Sequence, residues 1–143
     1  REDFPNYLNQ EVGAAMIDLD NFKRFNDNYG HAYGDLVLTR LGRYLQKDWM
    51  SEHLRSYRYG GDEILIIASG LEDGDFVKKL QIFQAEYAKL NQQLEELATL
   101  SIGYATGAVA NEEELRKMIQ LADNYLYQAK RQGKNQVVGA EKK

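Results

Sequence analysis

The sequence predicts an α/β fold in which helices cover a mixed β-sheet, and three patterns carry that expectation. The segment from Val12 to Leu19 is apolar on both faces, as in a central strand covered on each side. Two β-type runs, Leu54 to Tyr59 and Glu63 to Ala68, flank Gly60-Gly61, the pattern of a hairpin. From Phe76 onward the apolar residues Leu80, Phe83, Tyr87, Leu90, Leu94 and Leu97 follow in steps of four and three, which predicts a long amphipathic helix.

In chain order, Arg1 to Gln10 reads as a helix, followed by the covered strand. Asn21 to Asn28 and Asp35 to Lys47 read as helices, with Gly30 and Gly34 punctuating the turn between them. The hairpin comes next, then the Phe76 helix. That helix is expected to pack on a sheet, because its repeat barely reaches the three heptads a coiled coil needs. Leu100 to Thr106 reads as a strand, Glu112 to Arg131 as a helix, and Gln136 to Val138 as a short last strand. This order approaches a ferredoxin-like, palm-type βαββαβ core, with helices covering a mixed sheet.

A chain of 143 residues is read as a single domain, 1–143. With 43% hydrophobic and 28% charged residues it has the composition of a globular domain rather than a disordered one. The absence of cysteine excludes disulfides, thiolate zinc sites and cysteine nucleophiles, and suits a reducing, cytoplasmic setting. The longest strictly apolar run, Ile64 to Ala68, is far short of a membrane span, so no direct membrane contact is expected from this chain. A formal net charge of −4 argues against a nucleic-acid partner, whose phosphates would call for a basic excess.

Three local patterns carry chemistry. Asp18 and Asp20 close the covered strand, where two acids cost desolvation energy unless a cation or hydrogen-bond donor compensates. Period-two geometry puts them on one face, although one of them could simply cap the following helix. Arg58-Tyr59-Gly60-Gly61-Asp62-Glu63-Ile64 sets two consecutive acids beside the hairpin turn. If the hairpin pairs with the Asp18 strand, carboxylates converge at one sheet edge and suit one or two Mg²⁺ ions; otherwise the turn is merely acidic and solvated. Finally, Lys130 lies one helical turn before Lys134 in Gly133-Lys134-Asn135. These cations could meet phosphates, or be the ordinary basic end of a helix with a glycine stop.

Taken together, the motifs resemble the GGDEF family of diguanylate cyclases over nearly the whole chain. The matching segments are Asp18 to Asp27, Tyr29 to Asp35, Arg58 to Ile64, Ser101-Ile102-Gly103, and Ala122-Asp123 with Leu126-Tyr127, Ala129-Lys130 and Gly133 to Asn135. The resemblance implies condensation of two GTP into cyclic di-GMP and two pyrophosphates, with two subunits of a homodimer each presenting one GTP. It implies Mg²⁺ or Mn²⁺, two per GTP, with Asp18, the Leu19 carbonyl, Asp62 and Glu63 as ligands. Asp62 and Glu63 are the catalytic acids, either of which could help deprotonate the 3′-hydroxyl. Phosphates fall to Asn21, Phe22 and Lys23 at a helix start and to Lys130 and Lys134. Guanine falls to Asn26 and Asp35.

Several positions depart from the family pattern. Ile64 stands where Phe is usual, and Lys134 stands where Arg is common, keeping the charge but losing the bidentate fork. The inhibitory Arg-x-x-Asp of many relatives is replaced by Ser51 and Leu54 at its defining positions, so no feedback through that site is expected. A family segment that normally precedes an arginine like Arg1 is missing, which suggests a catalytic fragment of a longer protein with an upstream regulatory module. Two other readings compete with the cyclase: a degenerate GTP-binding regulator without turnover, and a polymerase-like or mononucleotide-cyclase palm.

Overall fold

A computed structural model of the protein describes residues 10–32, 34–36, 39, 41, 43, 54–59, 62–69, 74–93 and 99–141. The strands are β1 (Gln10–Leu19), β2 (Leu54–Arg58), β3 (Glu63–Ser69), β4 (Leu100–Val109) and β5 (Val137–Glu141). The helices are α1 (Phe22–Tyr29), α2 (Asp75–Gln93) and α3 (Glu112–Arg131), and the described residues between 31 and 43 are helical. The strands form one sheet in the order β2-β3-β1-β4-β5. Strand β1 pairs antiparallel with both β3 and β4, β2 and β3 form the hairpin, and β5 runs parallel to β4. The first four strands thus have the ferredoxin-like order, and the parallel fifth makes the sheet mixed.

Alternation along β1 divides the core in two. Ala15, Ile17 and Leu19 pack with Phe22, Leu41, Phe76, Leu80 and Phe83, so α1, Leu41 and α2 cover one face. Val12, Ala14 and Met16 pack with Leu115, Ile119, Ala122 and Leu126, so α3 covers the other. The apolar character of β1 on both faces is explained by this double cover, since Val12 to Leu19 is buried throughout. Among the described residues, no helix is long and apolar enough to cross a membrane.

Helix α3 has well-formed ends. Asn111 caps it, its side chain accepting from the Glu114 amide at 2.9 Å, and three glutamates occupy the first turn. At its end the Gln132 amide bonds Gln128 O and the Lys134 amide bonds Ala129 O, both at 2.9 Å, with Gly133 at φ 125°. That closure is a Schellman motif, and it carries the chain from Lys130 to Lys134 in one tight turn. Midway, Gly103 on β4 lets α3 lie close to the sheet, because a Cβ there would stand 2.0 Å from the Leu126 nitrogen.

Some boundaries differ from expectation. Gln10 opens β1 instead of ending a helix, and residues 1–9 lie outside the described residues. Helical backbone already begins at His31, before the expected Asp35, while residues 44–47 and 94–98 also lie outside the described set. Strand β5 reaches Glu141 because Gly139 and Ala140 pair with Tyr104 and Ala105 of β4, which weak intrinsic β-propensity does not advertise.

Candidate functional site

The sheet ends on a carboxylate pair. In the β1–β3 ladder Ile17 faces Ile64 and Asp18 faces Glu63, the last matched residues before the hairpin turn. The turn closes through the Tyr59 amide on Glu63 O at 2.9 Å; Gly60 and Gly61 lie outside the described residues, and Asp62 is half-buried. Asp18 is only 4% exposed, and its Oδ2 accepts from Lys130 Nζ. Asp18 Oδ1 and Glu63 Oε2 are buried with no hydrogen-bond partner among the described residues. Two such oxygens, on residues paired across the ladder, leave buried acceptor capacity unfilled.

Electrostatics follow from that placement. Burial pushes the Asp18 carboxyl up to about 6, against the pull of Lys130 and with a further push from Asp62. Glu63 is pushed up to about 7, by burial first, then by Asp123, with Asp18 and Asp62 adding to it. For Lys130 burial works downward, yet Asp18 outweighs it and the ammonium lies above its ordinary pKa. Among the described residues no three carboxylate or imidazole side chains already form a cation cage. The donor set at the sheet end is nevertheless all oxygen, with two oxygens lacking partners, and that chemistry suits a hard divalent cation.

Asp20 has a different task from Asp18. It is 2% exposed, its Oδ1 accepts from Ser101 Oγ at 2.5 Å, and its Oδ2 accepts from Thr99 Oγ1 at 2.6 Å and the Asn135 amide at 3.0 Å. The expectation that an Asp here could cap the next helix is therefore corrected for Asp20, whose carboxylate is consumed tying β1 to β4 and to the loop after α3. Lys134 and Asn135, both at positive φ, are held in that loop. Gln84 of α2 bonds the Asn135 side chain, and Lys134 Nζ donates to Asn21 Oδ1 at 2.9 Å. Asn21, Lys134 and the start of α1, with Phe22 buried and Lys23 exposed, thereby come together.

A third group lies beside the hairpin. Asp35, on the helical stretch after Gly34, pairs with Arg58 of β2 at 2.8 Å, both side chains exposed. Asn26 sits in α1, but its side chain lies outside the described residues. Leu19 is the last residue of β1 and is buried. Leu54 is buried in the core, so that position offers no polar group, and Ser51 lies outside the described residues.

Three features were not anticipated from sequence: the Asp20 network, the Arg58–Asp35 pair, and Asp123 beside Glu63. Asp123 stands seven residues before Lys130, and both flank the buried Ala122, Leu126 and Ala129 stripe of α3. That spacing marks them as neighbours along one helix side.

Comparison with known proteins identifies the family and the fold. The family model described as "Diguanylate cyclase, GGDEF domain" matches residues 3–136, and the chain belongs to that family. The chain is 32% identical to the diguanylate cyclase VdcA of Vibrio cholerae, over 92% of this chain and 40% of that protein. It is 30% identical to the diguanylate cyclase DosC of Escherichia coli K12, over 88% of this chain and 28% of that one. The chain thus spans well under half the length of these relatives. Among solved structures, the active GGEEF domain of a diguanylate cyclase from Vibrio cholerae superposes with a TM-score of 0.78 at 27% identity, covering 94% of this chain and 85% of that one. The GGDEF domain of DgcB from Caulobacter crescentus, in complex with c-di-GMP, gives 0.75 at 25% identity, covering 96% and 79%.

Proposed function

We propose that this chain is the catalytic domain of a diguanylate cyclase, joining two GTP into cyclic di-GMP and two pyrophosphates. Each 3′-hydroxyl attacks the α-phosphate of the GTP held by the other subunit of a homodimer. Family membership and the named cyclases among the relatives support the reaction class. The single observation that carries the placement of the site is the cross-strand pair of Asp18 and Glu63, each with a buried, unpartnered oxygen.

Asp18, the Leu19 carbonyl, Asp62 and Glu63 would hold Mg²⁺ or Mn²⁺, two ions per GTP. Such ions, when bound, offset phosphate charge and make the attacking hydroxyl easier to deprotonate. Glu63 is suited by its place at the hairpin to accept the 3′-hydroxyl proton, with Asp62 beside it as the second hairpin acid. The amides of Asn21, Phe22 and Lys23 at the α1 start, with Lys130 and Lys134, take the phosphates. Asp35 accepts from guanine N1–H and N2–H₂, a donor pair that adenine lacks, and Asn26 serves the remaining edge. A GTP substrate supports a cytoplasmic location for the domain. The family match occupies under half of the named relatives, which supports a regulatory module elsewhere in the same polypeptide that pairs the subunits.

The test is product analysis after incubating concentrated protein with GTP and Mg²⁺ beside a Glu63→Gln control. Cyclic di-GMP from the parent and at least about a hundredfold less from the control is expected, the low end of what a positioned acid–base group contributes. Equal product from both contradicts the role of Glu63.

A further inference from the structure

We propose that Lys130 is the counter-ion of the site before substrate arrives: it competes with a divalent cation for Asp18 and yields only when phosphate takes its ammonium. The inference rests on reading Asp18 as a cation ligand. Asp18 has two oxygens in a nearly dry setting: Oδ2 accepts from Lys130 Nζ, and Oδ1 has no hydrogen-bond partner among the described residues. Glu63, directly across the ladder, offers a second such oxygen. A divalent ion drawn to this pair would share one buried carboxylate with an ammonium, and the low effective dielectric of the setting magnifies their repulsion.

Lys130 is placed to leave. Its side chain is 34% exposed, so it is not sealed in with the carboxylate it bonds. The other lysine of the pair is held differently. Lys134 Nζ rests on the neutral amide oxygen of exposed Asn21, so taking up a phosphate costs Lys134 no ion pair among the described residues. Two lysines that look equivalent in sequence therefore have unequal work. Lys134 meets phosphate directly, whereas Lys130 exchanges Asp18 for it. Cation and phosphate binding become mutually favourable, each removing the obstacle to the other.

The test uses Mn²⁺ alone, without nucleotide, with free Mn²⁺ followed by its electron paramagnetic resonance signal. Lys130→Gln keeps a hydrogen-bond donor near Asp18 but removes the charge, and Lys130→Met removes both, so the result does not depend on one variant folding. Each is expected to bind Mn²⁺ at least about fivefold tighter than the parent, the lower range of coupling between sites. Lys134→Gln is expected to stay within about twofold of the parent, because surface charges contribute little. Unchanged or weaker binding in both Lys130 variants, or an equal gain in Lys134→Gln, overturns the proposal. Adding Asp18→Asn to Lys130→Gln is expected to erase the gain. A gain that survives Asp18→Asn overturns the cation-ligand reading of Asp18 itself, and the proposal with it.

Discussion

Asp18 and Glu63 are acids that folding makes harder to ionise, and a measurable pH dependence follows. Their folded pKa values, about 6 and about 7, lie above the ordinary 3.8 and 4.5. Between those limits the folded state holds protons that the unfolded chain has released, so stability falls as pH rises through the window. Without divalent cation, the midpoint of thermal unfolding is expected to drop from pH 5 to pH 8, and to drop less in Glu63→Gln. A steeper drop in the variant would contradict the placement of Glu63. Mg²⁺ at pH 8 is expected to restore part of the loss, by binding the folded state alone. The exposed Asp35–Arg58 pair contributes little to stability, and the role proposed for Asp35 is in base specificity. Asp35→Ser is expected to narrow the preference for GTP over ATP in a binding titration, and an unchanged ratio would remove Asp35 from guanine recognition.

At the scale of elements, the added unit α3–β5 does the most for the site. It covers the sheet face opposite α2, and it delivers Asp123, Lys130 and Lys134 to the end of β1. Its seating depends on Gly103, where a Cβ would meet backbone atoms of α3 at 2.0 and 2.2 Å. Gly103→Ala is expected to cost about 3 kcal/mol in urea unfolding, the upper part of the usual overpacking range, and a change near zero would contradict this packing. Asn111→Ala, which removes the α3 cap, is expected to cost about 1 kcal/mol in the same experiment. Much of this architecture was legible in the sequence because burial writes periodicity: the Val12 to Leu19 run, the hairpin around Gly60-Gly61 and the α3 stripe each matched an element. What was not legible depends on long-range contact. Nothing local says that Asp20 spends its oxygens on Thr99, Ser101 and Asn135, or that Asp35 meets Arg58 across the hairpin. Gly103 stood inside a recognised motif, yet its reason appears only when α3 is seen lying against it.

At the scale of the whole molecule, the proposed reaction would require two sheet ends to meet. In that proposal one subunit's Asp18–Glu63 end would hold one GTP, and a second copy would present the other with its hydroxyl in line. Activity per mole of chain is therefore expected to rise with protein concentration, and to level off once subunits are paired. The most direct measurement is the yield of cyclic di-GMP and pyrophosphate from this chain fused to a dimerising partner, given GTP and Mg²⁺, with the Glu63→Gln fusion alongside. Two pyrophosphates for every cyclic di-GMP are expected from the parent fusion, with the variant nearly silent. A paired protein that binds GTP and releases neither product would contradict the cyclase and leave a GTP-binding regulator in its place.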